Sequence, residues 1–175
     1  MRWFVVIAIL LAVTAGQAAN VPRPAPRPLP VAGPPPPIAL KPIFLPILHN
    51  SARIFSGTVL AVEHVNSSPS STLAVTRIRF RVEEAIRGVH KGQVFEIKEW
   101  AGLWEAGERY RPGERVLLFL YPPSRLGLTS PVGHRAGRFP LDANGRVLLT
   151  HESGVLPQPI DVRRVAAAIR GALGE

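Results

Sequence analysis

The chain contains no cysteine. That excludes disulfides, thiol nucleophiles and cysteine-ligated metals, so stability has to come from packing and hydrogen bonds. It also lacks the spacings that carry enzyme chemistry. Five histidines (His49, His64, His90, His134, His151) are scattered with no HExxH or other tight ligand set. No serine stands in G-x-S-x-G, and Ser153-Gly154 beside His151 is a plain loop pair. Acids are scarce, 12 against 21 lysines and arginines for a formal charge of +9, and no acid precedes residue 51. A surplus of that sign steers a protein toward anionic surfaces without specifying a fold. Neither a catalytic residue, a metal nor a cofactor is expected, and the protein is read as a non-enzyme.

The N-terminus supplies an address. Met1-Arg2 is a short positive start, Trp3 to Val13 an unbroken apolar run, and Thr14 to Ala19 a small-residue exit with Gly16-x-Ala18 as the cleavage signature. This order is that of a secretory signal peptide over 1–19. The apolar run is shorter than the ~20 residues of a bilayer span. An extracytoplasmic destination, periplasm or medium, is therefore expected, with no transmembrane span after cleavage. Residues 20–50 read as a proline-rich arm. Proline fixes φ and removes a donor, so the arm is expected to be an extended tether of ~3.1 Å per residue. Its apolar end (Ile43, Phe44, Leu45, Ile47, Leu48) is expected to pack on the domain that follows.

Residues 51–152 read as strands. In Thr76-Arg-Ile-Arg-Phe-Arg-Val82 the apolar Ile78, Phe80 and Val82 share one face and Arg77, Arg79 and Arg81 the other, which is the period of a half-buried antiparallel strand. Arg53 to Val65 is a second strand, with Gly57 expected at a bulge or close backbone approach. Gln93 to Glu99 alternates again, with Phe95 and Ile97 inward and Glu96 and Lys98 outward. Arg115 to Tyr121 is apolar on both faces and is expected to be the most buried strand. Asp142-Ala-Asn-Gly145 marks a reverse turn between Arg138–Leu141, where Pro140 suggests an edge, and Arg146–Thr150. Residues 153–175 are a linker and one helix, capped by Asp161, with Val162, Val165, Ala166, Ile169 and Leu173 as its apolar stripe and Arg163, Arg164 and Arg170 facing away. The fold class expected is mainly β: a small closed barrel of five to six antiparallel strands with one C-terminal α-helix packed on it.

Four stretches carry a resemblance: Ile54-Phe-Ser-Gly57-Thr-Val59; Thr76 to Gly88; Tyr110-Arg-Pro-Gly113-Glu-Arg-Val116 to Leu120; and Gly137-Arg-Phe139. Together with the Val165–Arg170 helix they resemble secreted bacterial proteins similar to the netrin-like domain of tissue inhibitors of metalloproteinases. The resemblance spans about residues 51–150 and implies an OB-type barrel. Inhibitors of that kind insert a disulfide-tethered N-terminal cysteine into a protease zinc site. This chain has no cysteine, so that mechanism is excluded and no functional residue carries over.

Two clusters are candidate sites. Arg77, Arg79 and Arg81 form a row with ~6.5–7 Å between successive side chains, a comb suited to phosphates or sulfates. The bland alternative is a solvated face paired across strands with Glu63, Glu96 or Glu99. The comb has no aromatic between its cations, because Phe80 lies on the opposite face, so nucleic acid is not the expected ligand. Trp100, Trp104 and Tyr110 either offer a platform to a partner or cap the barrel end. Glu83-Glu84 are adjacent on a strand and expected on opposite faces, which argues against a catalytic pair. The leading expectation is an exported interaction or structural module for an unknown protein or anionic surface polymer. The alternative is an anion-binding module for acidic glycan or lipid headgroups that uses the arginine comb. A weaker one is an inhibitor-like protein or a hydrolase with an unrecognised site.

Overall fold

A computed structural model describes residues 44–66, 73–107, 109–148 and 159–174, all within the unit Pro36–Glu175. The leader, the arm up to residue 43, the Ser/Pro loop at 67–72, and His151 with Ser153-Gly154 lie outside the described residues. In chain order the elements are α1 (Leu45–Asn50), β1 (Arg53–Val65), β2 (Val75–Arg87), β3 (Val94–Trp100), α2 (Ala101–Glu105), β4 (Arg115–Leu120), β5 (Arg138–Pro140), β6 (Arg146–Val147), β7 (Ile160–Asp161) and α3 (Val162–Leu173). The protein is mainly β. Five strands form one sheet in the order β3-β2-β1-β4-β5, β6 and β7 pair separately, and every ladder is antiparallel.

β1 is the hub. Along its whole length it pairs with β2, and from Arg53 to Thr58 it pairs with β4 on its other edge. Its register with β2 shifts three times, so Leu60, Glu83 and Ile86 have no cross-strand partner in that ladder. Such bulges bend a strand and increase its twist. Gly57 sits at one of these shifts, and a Cβ there would collide with the Arg81 carbonyl. Beyond β4 the chain folds back. Leu120 bridges Pro131, the Val132 N–H donates to Phe119 O at 2.8 Å, and a 3₁₀ turn at His134–Gly137 intervenes before β5 resumes pairing with β4. β3 and β5 remain the sheet's edges, as Pro140 in β5 suggests. No ladder among the described residues closes the sheet into a barrel. One main-chain bond, from Thr129 N–H to Lys98 O at 2.9 Å, ties this fold-back to β3.

The two faces of the sheet bury two cores. One gathers Phe55, Val59, Ile78, Phe80, Val82, Ile97, Tyr110, Val116, Leu118 and Leu120. The other holds Ile54, Ile86, Leu117, Phe119 and Phe139 against Phe44 and Leu48 from the α1 region and Val165, Ala166 and Ile169 of α3. β4 alternates between the two from Val116 to Leu120, which is why those consecutive residues are all apolar. The end of the arm is a short helix rather than extended chain: Pro46 is at its start, where a missing N–H costs nothing. α3 is capped as its sequence predicts, with Asp161 Oδ1 accepting from Arg163 N at 2.7 Å and Gly174 closing the other end at φ 74°.

One expectation needs correction. Arg170 does not face away. Its guanidinium reaches back to Glu84 Oε1 at 2.7 Å and to Ala85 O at 2.6 Å, pinning α3 to β2. The Asp142–Gly145 turn forms as expected, with Asp142 Oδ1 accepting from Asn144 N and Arg146 N, and a Leu141–Val147 bridge with the Leu148 N–H donating to Pro140 O at 2.8 Å closes the hairpin, while β6 also pairs with β7 on its other edge. Trp100 ends β3 and α2 follows at once. The collision at Gly57 generates a prediction. Gly57→Ala should lower the unfolding free energy by about 1–3 kcal/mol, the usual cost of overpacking, read from the shift in urea midpoint. An unchanged midpoint would mean that β1 and β2 do not approach this closely.

Candidate functional site

Alternation along β2 puts Ile78, Phe80 and Val82 in the core and turns Arg77, Arg79 and Arg81 to the opposite face. The ladders on either side give each arginine two neighbours. Arg77 lies between Glu63 of β1 and Lys98 of β3, Arg79 between Ala61 and Glu96, and Arg81 between Thr58 and Val94. One step further, Val75 lies between Val65 and Trp100. The outer face of β1–β2–β3 therefore carries the arginine row, Lys98 and Trp100 together.

The acids on this face are unevenly spent. Glu63 stands opposite Arg77 in register, but its carboxylate reaches diagonally to Arg79, whose Nη2 donates at 2.6 Å. Both side chains are about half exposed, so this pair is worth at most about 1 kcal/mol. Glu83, two residues beyond Arg81, is committed elsewhere. Thr58 Oγ1 donates to its Oε1 at 2.5 Å, and Arg115 donates through Nε and Nη2 to Oε2 at 3.0 and 2.5 Å. Partial burial works against its charge. The Arg115 and Thr58 hydrogen bonds and the Arg115 charge outweigh that and hold the Glu83 carboxyl below its ordinary range. Among the described residues the side chains of Arg77, Arg81 and Lys98 form no ion pair. Arg77 Nε is buried without a hydrogen-bond partner. Its cross-strand neighbour on β3 is a second cation, Lys98, and like charges placed opposite one another in a ladder are destabilising.

Glu99 belongs to neither group. It lies on the inner face with Phe95 and Ile97, is buried, and accepts from Tyr110 OH at 3.1 Å, so it cannot neutralise the row. This corrects the expectation that Glu99 could pair across strands with the arginine row. Glu84 pairs with Arg170 at 2.7 Å, and the register shift at Glu83 interrupts the strict alternation expected of Glu83-Glu84.

The three aromatics are not brought together. Tyr110 is 2% exposed, beneath the Arg138 guanidinium at 4.0 Å and against Phe80, and it presents no surface to a partner. Trp104 packs on the inner core with its ring 4.4 Å from His64. Trp100 stands apart: it is 54% exposed. A Cβ on Gly102 would lie 2.5–2.7 Å from carbons of the Trp100 indole, so the missing side chain of Gly102 gives that ring its seat. The sequence reading missed both Lys98 as the partner of Arg77 and Gly102 as the seat of Trp100. The outward position of Lys98 was visible, but its neighbour depends on register. Among the described residues no group of three potential ligands is placed to hold a metal ion, and no helix is long and apolar enough to cross a membrane. Comparison with protein-family models, curated proteins and solved structures finds no match.

The sign of the Glu83 shift fixes a pH dependence. A carboxyl held below its unfolded pKa stabilises the fold above that value and loses the contribution as pH falls through the folded one. Glu83→Gln should therefore lower the urea midpoint at neutral pH, and the gap to wild type should narrow as the solution is acidified toward the limit at which the protein still folds. A gap of constant size from neutrality to that acid limit would show that Glu83 does not stabilise through its charge.

Proposed function

We propose that this protein is an exported, non-enzymatic β-barrel interaction module whose outer β1–β2–β3 face binds an anionic ligand, an acidic glycan or a lipid headgroup. The carrying observation is the placement of Lys98 directly opposite Arg77, in line with an unneutralised Arg81. A sheet holds such a pair at a cost, and an anion bound between the two cations removes that cost. The surplus of cations over the whole chain favours encounter with such a ligand. The OB-like closure of the barrel belongs to this proposal, with the Thr129–Lys98 bond as its seam. So do the secretory leader and the arm that would hold the module off a surface. The netrin-like resemblance supports the barrel and is silent on the ligand.

Retention on immobilised heparin tests the reading. Wild type should be retained at low salt and elute as salt screens the contacts. The Arg77→Glu/Arg81→Glu double variant should elute at distinctly lower salt. Arg163→Glu/Arg164→Glu, the same charge change placed on the exposed side of α3, should elute close to wild type. Equal losses from the two double variants would reduce the effect to net charge and refute a site on the sheet.

A further inference from the structure

The cations of this face are not evenly spread, and the spacing selects among anions. Lys98 and Arg77 form one positive point and Arg81 another. Four residue steps along the strand take Arg77 to Arg81, a distance of about 13 Å. The rung between them is neutralised, with Arg79 held by Glu63 and Glu96 standing opposite on β3. A densely charged ligand, such as polyphosphate or an anionic membrane, would press its charges against Glu63 and Glu96. A ligand whose charges skip that rung would not. One step beyond Lys98 on the same strand, about 7 Å away, the half-exposed Trp100 indole is held against Gly102. A flat aromatic beside a cation suits a ring that carries C–H groups on its face and an acid at its edge.

We infer that the ligand is a linear acidic polysaccharide charged on alternate sugars, with one sugar stacked on Trp100 and acidic groups at Lys98/Arg77 and at Arg81. This rests on the anion-binding reading and adds to it the ligand's class, its charge spacing and the roles of Trp100 and Gly102. Gly102 is a positioning residue, because a side chain there would unseat the indole.

Three probes separate the possibilities when titrated against the full exported chain: hyaluronan oligosaccharides, with a carboxylate on alternate sugars; inorganic polyphosphate; and vesicles of phosphatidylglycerol with phosphatidylcholine. Hyaluronan should bind and quench tryptophan fluorescence. Trp100→Ala should weaken that binding about tenfold, the effect of losing one aromatic contact. Gly102→Ala should weaken it too, Trp100→Phe should restore part of it, and Arg81→Ala should reduce it. Polyphosphate and vesicles should bind more weakly than the glycan and ignore Trp100→Ala. If polyphosphate or vesicles bind at least as tightly as hyaluronan, or if Trp100→Ala leaves hyaluronan binding unchanged in a variant that melts like wild type, the glycan inference falls while the anion-binding reading stands. If none of the three binds, both fall.

Discussion

Everything in this fold depends on β1 pairing along both of its edges at once. Between Ile54 and Thr58 it pairs with β2 on one side and β4 on the other. A strand held on both edges has no free edge to present to another chain, and here it also separates two cores. Ile54 belongs to the core under α3 and Phe55 to the inner one. The bulges that skip Leu60, Glu83 and Ile86 let β1 and β2 bend without breaking that division. Ile86 thereby joins the helix-side core although Ile78, Phe80 and Val82, at the same parity, serve the other.

The same bend decides where the candidate site lies. α3 packs on the far end of β2, where Ile86 is buried and Arg170 reaches Glu84 and Ala85. β4 accompanies β1 only as far as Thr58. Past that point β1, β2 and β3 continue as a three-stranded ladder whose outer face carries Arg77, Arg79, Arg81 and Lys98. The pleat holds those side chains as neighbours, with cross-strand Cβ atoms about 5 Å apart. Helix surfaces and loops also carry arginines, but among the described residues only β2 brings several of them into register on one face.

Much of this was legible in the residues because period-two alternation is a strong signal. Thr76 to Val82 announced both its strand and its two faces, Gly57 its close approach, Arg115 to Tyr121 its double burial, which the structure ends one residue earlier because Tyr121 is exposed, and Asp161 its cap. What escaped has a common cause. Alternation says which face a side chain takes but not which strand lies beside it, so the Arg77–Lys98 neighbourhood and the diagonal reach of Glu63 to Arg79 required the register. Bulges erase alternation locally, which is why Glu83-Glu84 was read too simply. Long flexible side chains cross the face they start from, as Arg170 does. Tyr110 could be placed near the tryptophans in sequence, but its hydroxyl went to a buried carboxylate, a pairing set by packing.

The charge pattern bears on function through what the chain does with its scarce acids. Glu63 goes to Arg79, Glu83 to Arg115, Glu84 to Arg170, Glu114 to Arg138 and Asp142 to Arg146. Several of these pairs tie separate elements together: β2 to β4, β2 to α3, and β5 to the turn before β4. Acids placed this way stabilise the fold, and they are withheld from Arg77 and Arg81. Glu63 could have faced Arg77 directly, since the two are opposite in register, and it serves Arg79 instead. Arg77 therefore meets the Lys98 cation with no carboxylate between them. A surface selected for stability alone would place an acid at position 98, where cross-strand pairing would gain a few tenths of a kcal/mol up to about 1 kcal/mol. The lysine forgoes that gain, and this forgone pairing is the feature on which the anion-binding proposal rests.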